Sequence, residues 1–186
     1  MSIYTIIYQV GFIYEIRIHG RGGQGVKTTA RVLGRAAFLS GFQTQDFAVY
    51  GAERRGAPVA SFCRFDKEKI LTRGYIFEPD AVIVLDPSLN PKIVAKGLKS
   101  EGVLLVNSPR PLEKFPKAGF VDATGTALRL LGKPVPNIAI LGAFLKETKL
   151  FPFKNLKKAI KIELTEDGHP EAVLGNIKAC EALWEE

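Results

Sequence analysis

The chain has 186 residues, of which 46% are hydrophobic and 24% charged. That is enough for one domain of roughly 100 to 200 residues with a sizeable core, and the composition excludes a disordered or repeat protein. Lys and Arg number 26 against 19 Asp and Glu, and this net charge of +7 favours anionic ligands, an acidic partner surface, or a lysine-rich face turned to water. No helix-turn-helix, RNP-like or zinc-knuckle pattern accompanies the charge, so no nucleic-acid partner is expected.

Residues 1–13 are apolar and aromatic, but they lack a basic lead and a small-x-small cleavage site. Gln9 and Gly11 interrupt the run before it reaches bilayer length. The reading is an arm or extra strand in front of a single domain over 14–186, with no membrane span.

Tyr14 to Ile18 is β-branched and apolar enough for a strand, and it leads into His19-Gly20-Arg21-Gly22-Gly23-Gln24-Gly25. Gly20, Gly22 and Gly25 fit the G-x-G-x-x-G spacing. In that turn glycines permit close approach to a phosphate, and the following helix offers its amides and positive dipole end to an anion. The candidate anion-binding residues are therefore Gly20, Arg21, Gly22, Gly23, Gln24, Gly25 and Lys27; the alternative is a glycine turn without a ligand.

Val26, Ala30, Leu33 and Ala37 form the apolar face of a helix over 26–39, with Lys27, Arg31 and Arg35 on the opposite side and Gly41 as a left-handed cap. A strand over 42–49 follows. It carries Asp46 about twenty residues beyond the last glycine, where a nicotinamide-binding fold places its ribose acid.

The loop Tyr50-Gly51-Ala52-Glu53-Arg54-Arg55-Gly56-Ala57-Pro58 combines glycines and a proline with an aromatic ring, an acid and two arginines. Packing does not explain such content in a loop. A strand over 59–66 and a polar turn into 70–73 predict an antiparallel hairpin. Ala81 to Leu85 and Gly102 to Asn107 read as parallel strands buried on both faces, joined by a helix over 89–98 that Asp86 or Ser88 caps. Asp86 and Asn107 end these strands on the edge that carries the glycine loop, where open α/β sheets bind ligands.

A short strand over 119–123, a helix over 125–131 capped by Asp122 or Thr124, and helices over 138–147, 153–162 and 171–184 complete the chain. Gly142 inside a helix costs about 1 kcal/mol relative to alanine and points to close backbone approach, by the sheet or by another subunit. The predicted fold is a three-layer α/β/α sandwich with a mostly parallel, Rossmann-like sheet, an antiparallel hairpin and an α-rich C-terminal tail.

The two cysteines, Cys63 and Cys180, exclude a cluster or zinc site with four cysteine ligands in this chain and point to a reducing, cytoplasmic compartment. Cys63 reads as a buried structural thiol. Neither His19 nor His169 has a spacing that sets a base beside it. No catalytic residue and no metal ligand is assigned.

In this order the motifs resemble the gamma subunit of 2-oxoacid:ferredoxin oxidoreductases, and within that family the pyruvate:ferredoxin type. The resemblance is carried by Gly20 to Gly25, by Tyr50 to Pro58, by Glu78-Pro79-Asp80-Ala81-Val82-Ile83-Val84-Leu85-Asp86, and by Leu104 to Asn107. It covers residues from about Tyr14 to the C-terminus. It implies that thiamine diphosphate, Mg2+ and iron–sulfur clusters sit on partner subunits. There a 2-oxoacid loses CO2, electrons pass to ferredoxin, and the acyl group passes to coenzyme A.

For this chain the resemblance implies a structural role beside alpha, beta and delta subunits, with a share in holding coenzyme A. Tyr50, Gly51, Glu53, Arg54, Arg55, Gly56, Asp86 and Asn107 then form a subunit-docking or ligand edge. The wording Gly51-Ala52-Glu53-Arg54 with Ala57-Pro58 is similar to the pyruvate and branched-chain group rather than to relatives acting on 2-oxoglutarate. The alternative is a stand-alone NAD(P)-binding Rossmann oxidoreductase that uses Gly20, Gly22, Gly25 and Asp46.

Overall fold

The computed structural model describes residues 13–49 and 56–186. The arm over 1–12 and, in the second loop, Tyr50, Gly51, Glu53, Arg54 and Arg55 lie outside the described residues. The strands are β1 (Tyr14–Arg21), β2 (Gln43–Ala48), β3 (Pro58–Asp66), β4 (Ala81–Val84), β5 (Val103–Asn107) and β6 (Gly119–Val121). They form one six-stranded sheet in the order β2-β3-β1-β4-β5-β6. β1, β4, β5 and β6 pair in parallel, and β3 runs against both of its neighbours, β1 and β2. The sheet is therefore mostly parallel, with the hairpin formed by β2 and β3.

The helices are α1 (Val26–Phe38), α2 (Pro91–Val94), α3 (Ala123–Leu131), α4 (Ile140–Thr148), α5 (Phe153–Glu166) and α6 (Val173–Glu185), with a 3₁₀ turn at Pro170–Ala172. The strand period of two sends Tyr14, Ile16 and Ile18 to one face of the sheet. There they join Cys63, Phe65, Ile83 and Leu105 in a core shared with residues of α1, α4, α5 and α6. On the other face Val82, Val84, Leu104 and Val106 pack with Leu89, Val94 and Phe115. That layer is thin, built from the single turn α2 and the connector that contains Phe115.

Several local expectations are corrected. The helix over 89–98 contracts to α2, because Asn90 before Pro91 is held extended and its carboxamide caps the turn through the Lys92 amide, 3.0 Å away. Neither Asp86 nor Ser88 caps it. Residues 70–73 do not pair with β3. Instead the segment from 67 to 77 crosses the sheet as an irregular strap whose carbonyls are claimed from inside. The fully buried Arg64 guanidinium donates to the Thr72 and Gly74 carbonyls at 3.1 and 2.9 Å and sits 3.1 Å from the Glu15 carboxylate. Arg17, also buried, donates to the carbonyls of Ile76, Val94 and Lys96. Burial lowers the Arg17 pKa from its ordinary value.

Asp122 caps α3 by accepting from the Gly125 amide at 2.8 Å. Gly142 is packed within the chain, against α6: a Cβ there would stand 1.8 Å from the Cys180 carbonyl oxygen. Lys154, Lys158 and Lys161 are exposed on α5, as a solvated face requires. Arg31 and Arg35 do not face water alone. They reach across to α5, where both pair with Glu163, and Arg31 also meets Asp167 and Arg35 meets Glu166.

Candidate functional site

The site stands at the carboxyl ends of β1 and β4. β1 carries Gly20 and Arg21 to the sheet edge, a tight turn follows, and Gly25, left-handed at φ 74°, opens α1 without any side-chain cap. A Cβ on Gly20 would lie 2.7 Å from Val26 Cγ2, and one on Gly25 would lie 2.3 Å from Asn137 Nδ2. These two glycines are thus required by the close packing of α1 on β1 and on the segment before α4. The turn is locked by its own residues: the Arg21 amide donates to Gln24 Oε1 at 2.7 Å, and the Gln24 amide donates to the Arg21 carbonyl at 3.0 Å. Lys27 is exposed on the first turn of α1.

The second loop returns directly onto this turn. The Gly22 amide donates to the Ala57 carbonyl at 2.9 Å, and the Gly56 amide donates to the Gly22 carbonyl at 3.2 Å, which prolongs the β1–β3 ladder past its last pair, Arg21 with Pro58. Arg21 then ties its own turn to the segment after β4 and to the one before β3. Its Nε lies 3.0 Å from Asp86 Oδ2, its Nη1 donates to the Gly56 carbonyl at 2.9 Å, and its Nη2 donates to Ser88 Oγ at 2.8 Å.

Asp86, just past the end of β4, is the acceptor at the centre. Its Oδ2 also receives Gln24 Nε2 at 3.1 Å, and its Oδ1 receives the Ser88 amide at 2.9 Å. Burial alone pushes this carboxyl up. The Ser88 hydroxyl and amide, Gln24 and the Arg21 charge outweigh that and hold it below the usual carboxylate value. Chemically, the cluster neutralises Arg21 and leaves the dipole at the head of α1 as the positive feature of the turn.

Asn107 does not join this edge. It is buried, its Nδ2 donates to the Leu85 carbonyl at 2.9 Å and to Thr124 Oγ1 at 2.8 Å, and its Oδ1 accepts from the Thr124 amide at 3.1 Å. It braces the ends of β4 and β5 against the start of α3. Sequence reasoning missed Ser88 as a partner of Arg21, and it missed Asn137, whose packing against Gly25 comes from 112 residues away. A strand ending in Asp-Pro-Ser was the available signal for Ser88; none pointed to Asn137.

Asp46 is not where a ribose would need it. β3 intervenes between β1 and β2, and Asp46 faces Gly34 in mid-α1, in a cleft it shares with Arg31, Arg35, Phe38, Thr44 and Glu163. Burial and then the Glu163 charge raise its pKa. Asp46, the acid that the nicotinamide reading uses, thus stands away from the glycine turn.

Cys63 and Cys180 are both buried and free, and burial pushes each thiol far above its ordinary pKa. His19 lies on the opposite face of the sheet from Cys63. Burial, then the nearby Arg17 charge, lower its pKa to about 4, so it is neutral at pH 7. No thiol–imidazole pair arises from these residues.

The profile of the family described as pyruvate ferredoxin/flavodoxin oxidoreductase matches residues 15–185. The chain belongs to that family, as a gamma-type subunit. Among its relatives, the pyruvate/ketoisovalerate oxidoreductases common subunit gamma of Pyrococcus furiosus is 48% identical over 156 residues, which span 79% of this chain and 84% of the relative. Pyruvate synthase subunit PorC of Methanocaldococcus jannaschii is 47% identical over 148 residues, 78% of this chain and 83% of that one. The crystal structure of the pyruvate oxidoreductase subunit PORC of Thermotoga maritima superposes with a TM-score of 0.79 at 32% identity, covering 94% of this chain and 96% of that one. Membership in the family makes the chain one subunit of a 2-oxoacid:ferredoxin oxidoreductase. The glycine turn and the stretch of Gly56 and Ala57 are the two segments of this chain that Arg21 and Gly22 join.

Proposed function

We propose that this gamma-type chain serves a pyruvate, or branched-chain 2-oxoacid,:ferredoxin oxidoreductase as a non-autonomous subunit, working beside alpha, beta and delta subunits, and that it helps to position coenzyme A. The observation that carries the reading is the convergence of two loops on one sheet edge. The uncapped head of α1 supplies donors and a positive dipole end for a phosphate, Lys27 adds charge, and the loop ending at Gly56 is bonded to the same turn. The candidate coenzyme-binding residues are Gly20, Gly22, Gly23, Gln24, Gly25 and Lys27, with Arg21, Gly56 and Asp86 on the adjoining edge. When bound, coenzyme A supplies the thiol that takes the acyl group; this chain binds and orients it.

Thiamine diphosphate, Mg2+ and the iron–sulfur clusters are assigned to partner chains. The two cysteines here are buried on separate elements, β3 and α6, which does not fit a cluster. The relatives' names support the choice of substrate, pyruvate for PorC and both pyruvate and ketoisovalerate for the common gamma subunit. The test is reconstitution. The isolated chain is inactive with pyruvate, coenzyme A and ferredoxin, and activity appears when it is combined with the other subunits; full activity of those subunits without it overturns the reading.

A further inference from the structure

The motif alone makes Arg21 a direct ligand for a phosphate. The geometry points elsewhere: we propose that Arg21 and Asp86 together are positioning residues, a clamp that fixes the glycine turn against the β4 edge and the end of the second loop. This rests on the coenzyme A reading above for its kinetic consequence, though not for the clamp itself.

All three guanidinium nitrogens have partners, on two segments besides its own: Asp86 Oδ2 and Ser88 Oγ after β4, and the Gly56 carbonyl before β3. The Asp86 carboxylate lies 3.0 Å from Nε of that guanidinium, which reduces the net field it presents to an incoming anion. Asp86 in turn is shared. It receives Gln24 Nε2 as well as Arg21, while Gln24 Oε1 holds the Arg21 amide. Backbone bonds from Gly22 to Gly56 and Ala57 continue the same lattice. The planar fork of arginine satisfies three acceptors in different directions, which a lysine ammonium on the same stem does not reproduce. The clamp sets the distance between the head of α1 and the opposite lip of the crevice, and the amides, not the guanidinium, meet the ligand.

Two variants in the fully reconstituted complex separate the roles, Asp86→Asn and Arg21→Lys. Each is checked first for assembly and thermal unfolding. A clamp predicts that both raise KM for coenzyme A about tenfold, the loss expected when a hydrogen bond between charged groups is removed, with the change falling on KM rather than kcat. It also predicts faster amide exchange in peptides spanning 19–26 and 56–61.

A direct ligand predicts the reverse. Arg21→Lys keeps the charge and binds nearly as well, while Asp86→Asn frees Arg21 and lowers KM; a lowered KM in Asp86→Asn overturns the proposal. Unchanged exchange in both variants overturns it as well. Faster exchange with an unchanged KM for coenzyme A upholds the clamp and overturns the coenzyme A reading instead. Should Asp86→Asn fail to assemble, Arg21→Lys alone decides.

Discussion

Gly142 on α4 and Cys180 on α6 approach so closely that a methyl group on the glycine would stand 1.8 Å from the cysteine carbonyl oxygen. The atoms that the methyl would meet are backbone atoms of Cys180 and Trp184, so no rotamer can relieve it. Gly142→Ala is expected to destabilise the chain by about 2 kcal/mol or more, although alanine is the better helix former. Chemical denaturation of the purified chain measures it; a stability gain would mean that the two helices separate easily.

The strap between 67 and 77 depends on Arg64, whose side chain is the largest of those fully buried among the described residues. Arg64→Met removes the donors to Thr72 and Gly74 and leaves Glu15 without that cation. A loss of about 3 kcal/mol is expected, typical of breaking a buried pair. The same variant accelerates amide exchange across 70–77 and leaves the glycine turn protected.

Glu163 on α5 is the shared acceptor for Arg31 and Arg35, with its side chain 3% exposed while theirs are 27% and 34%. Because the arginines reach solvent, the network is screened, and Glu163→Gln is expected to cost about 1 kcal/mol, well below a buried pair. Thermal unfolding with and without 1 M salt checks this. The wild type loses more of its stability in salt than the variant does.

His19 makes stability depend on pH. Its folded pKa is about 4, against an ordinary 6.5, so it is neutral in the folded chain while the unfolded chain takes up a proton. Stability is fully present above 6.5 and is lost as pH falls from 6.5 towards 4, at up to about 1.4 kcal/mol per pH unit. The raised carboxyls of Asp46 and Glu15 oppose this at the acid end. Comparing wild type with His19→Gln cancels them. The variant's unfolding free energy changes less between pH 7 and pH 5; equal slopes would refute the assignment.

What the sequence makes legible here is periodicity and punctuation. β4, β5 and the helices after residue 120 were readable from their apolar period, and Asp122 before α3 and the left-handed Gly41 after α1 were readable as punctuation. The glycine turn was readable because only glycine fits at Gly20 and Gly25. What was not readable depends on long-range polar pairing. Residues 70–73 read as the second half of a hairpin, yet the Thr72 and Gly74 carbonyls are taken by Arg64 from β3 and the Ile76 carbonyl by Arg17 from β1, and Leu71 is exposed. Arg31 and Arg35 look solvated until α5 is placed beside α1. Asp46 has the right spacing for a ribose acid and the wrong neighbour, because β3 is inserted between β1 and β2.

The central claim is that this chain, as one subunit of the complex, holds coenzyme A at its glycine turn. The most direct measurement is the KM for coenzyme A of the reconstituted oxidoreductase carrying Gly22→Phe, alongside the KM for pyruvate. A bulky side chain at the turn is predicted to raise KM for coenzyme A by about tenfold or more while KM for pyruvate stays put. An assembled, active complex with an unchanged KM for coenzyme A would contradict it.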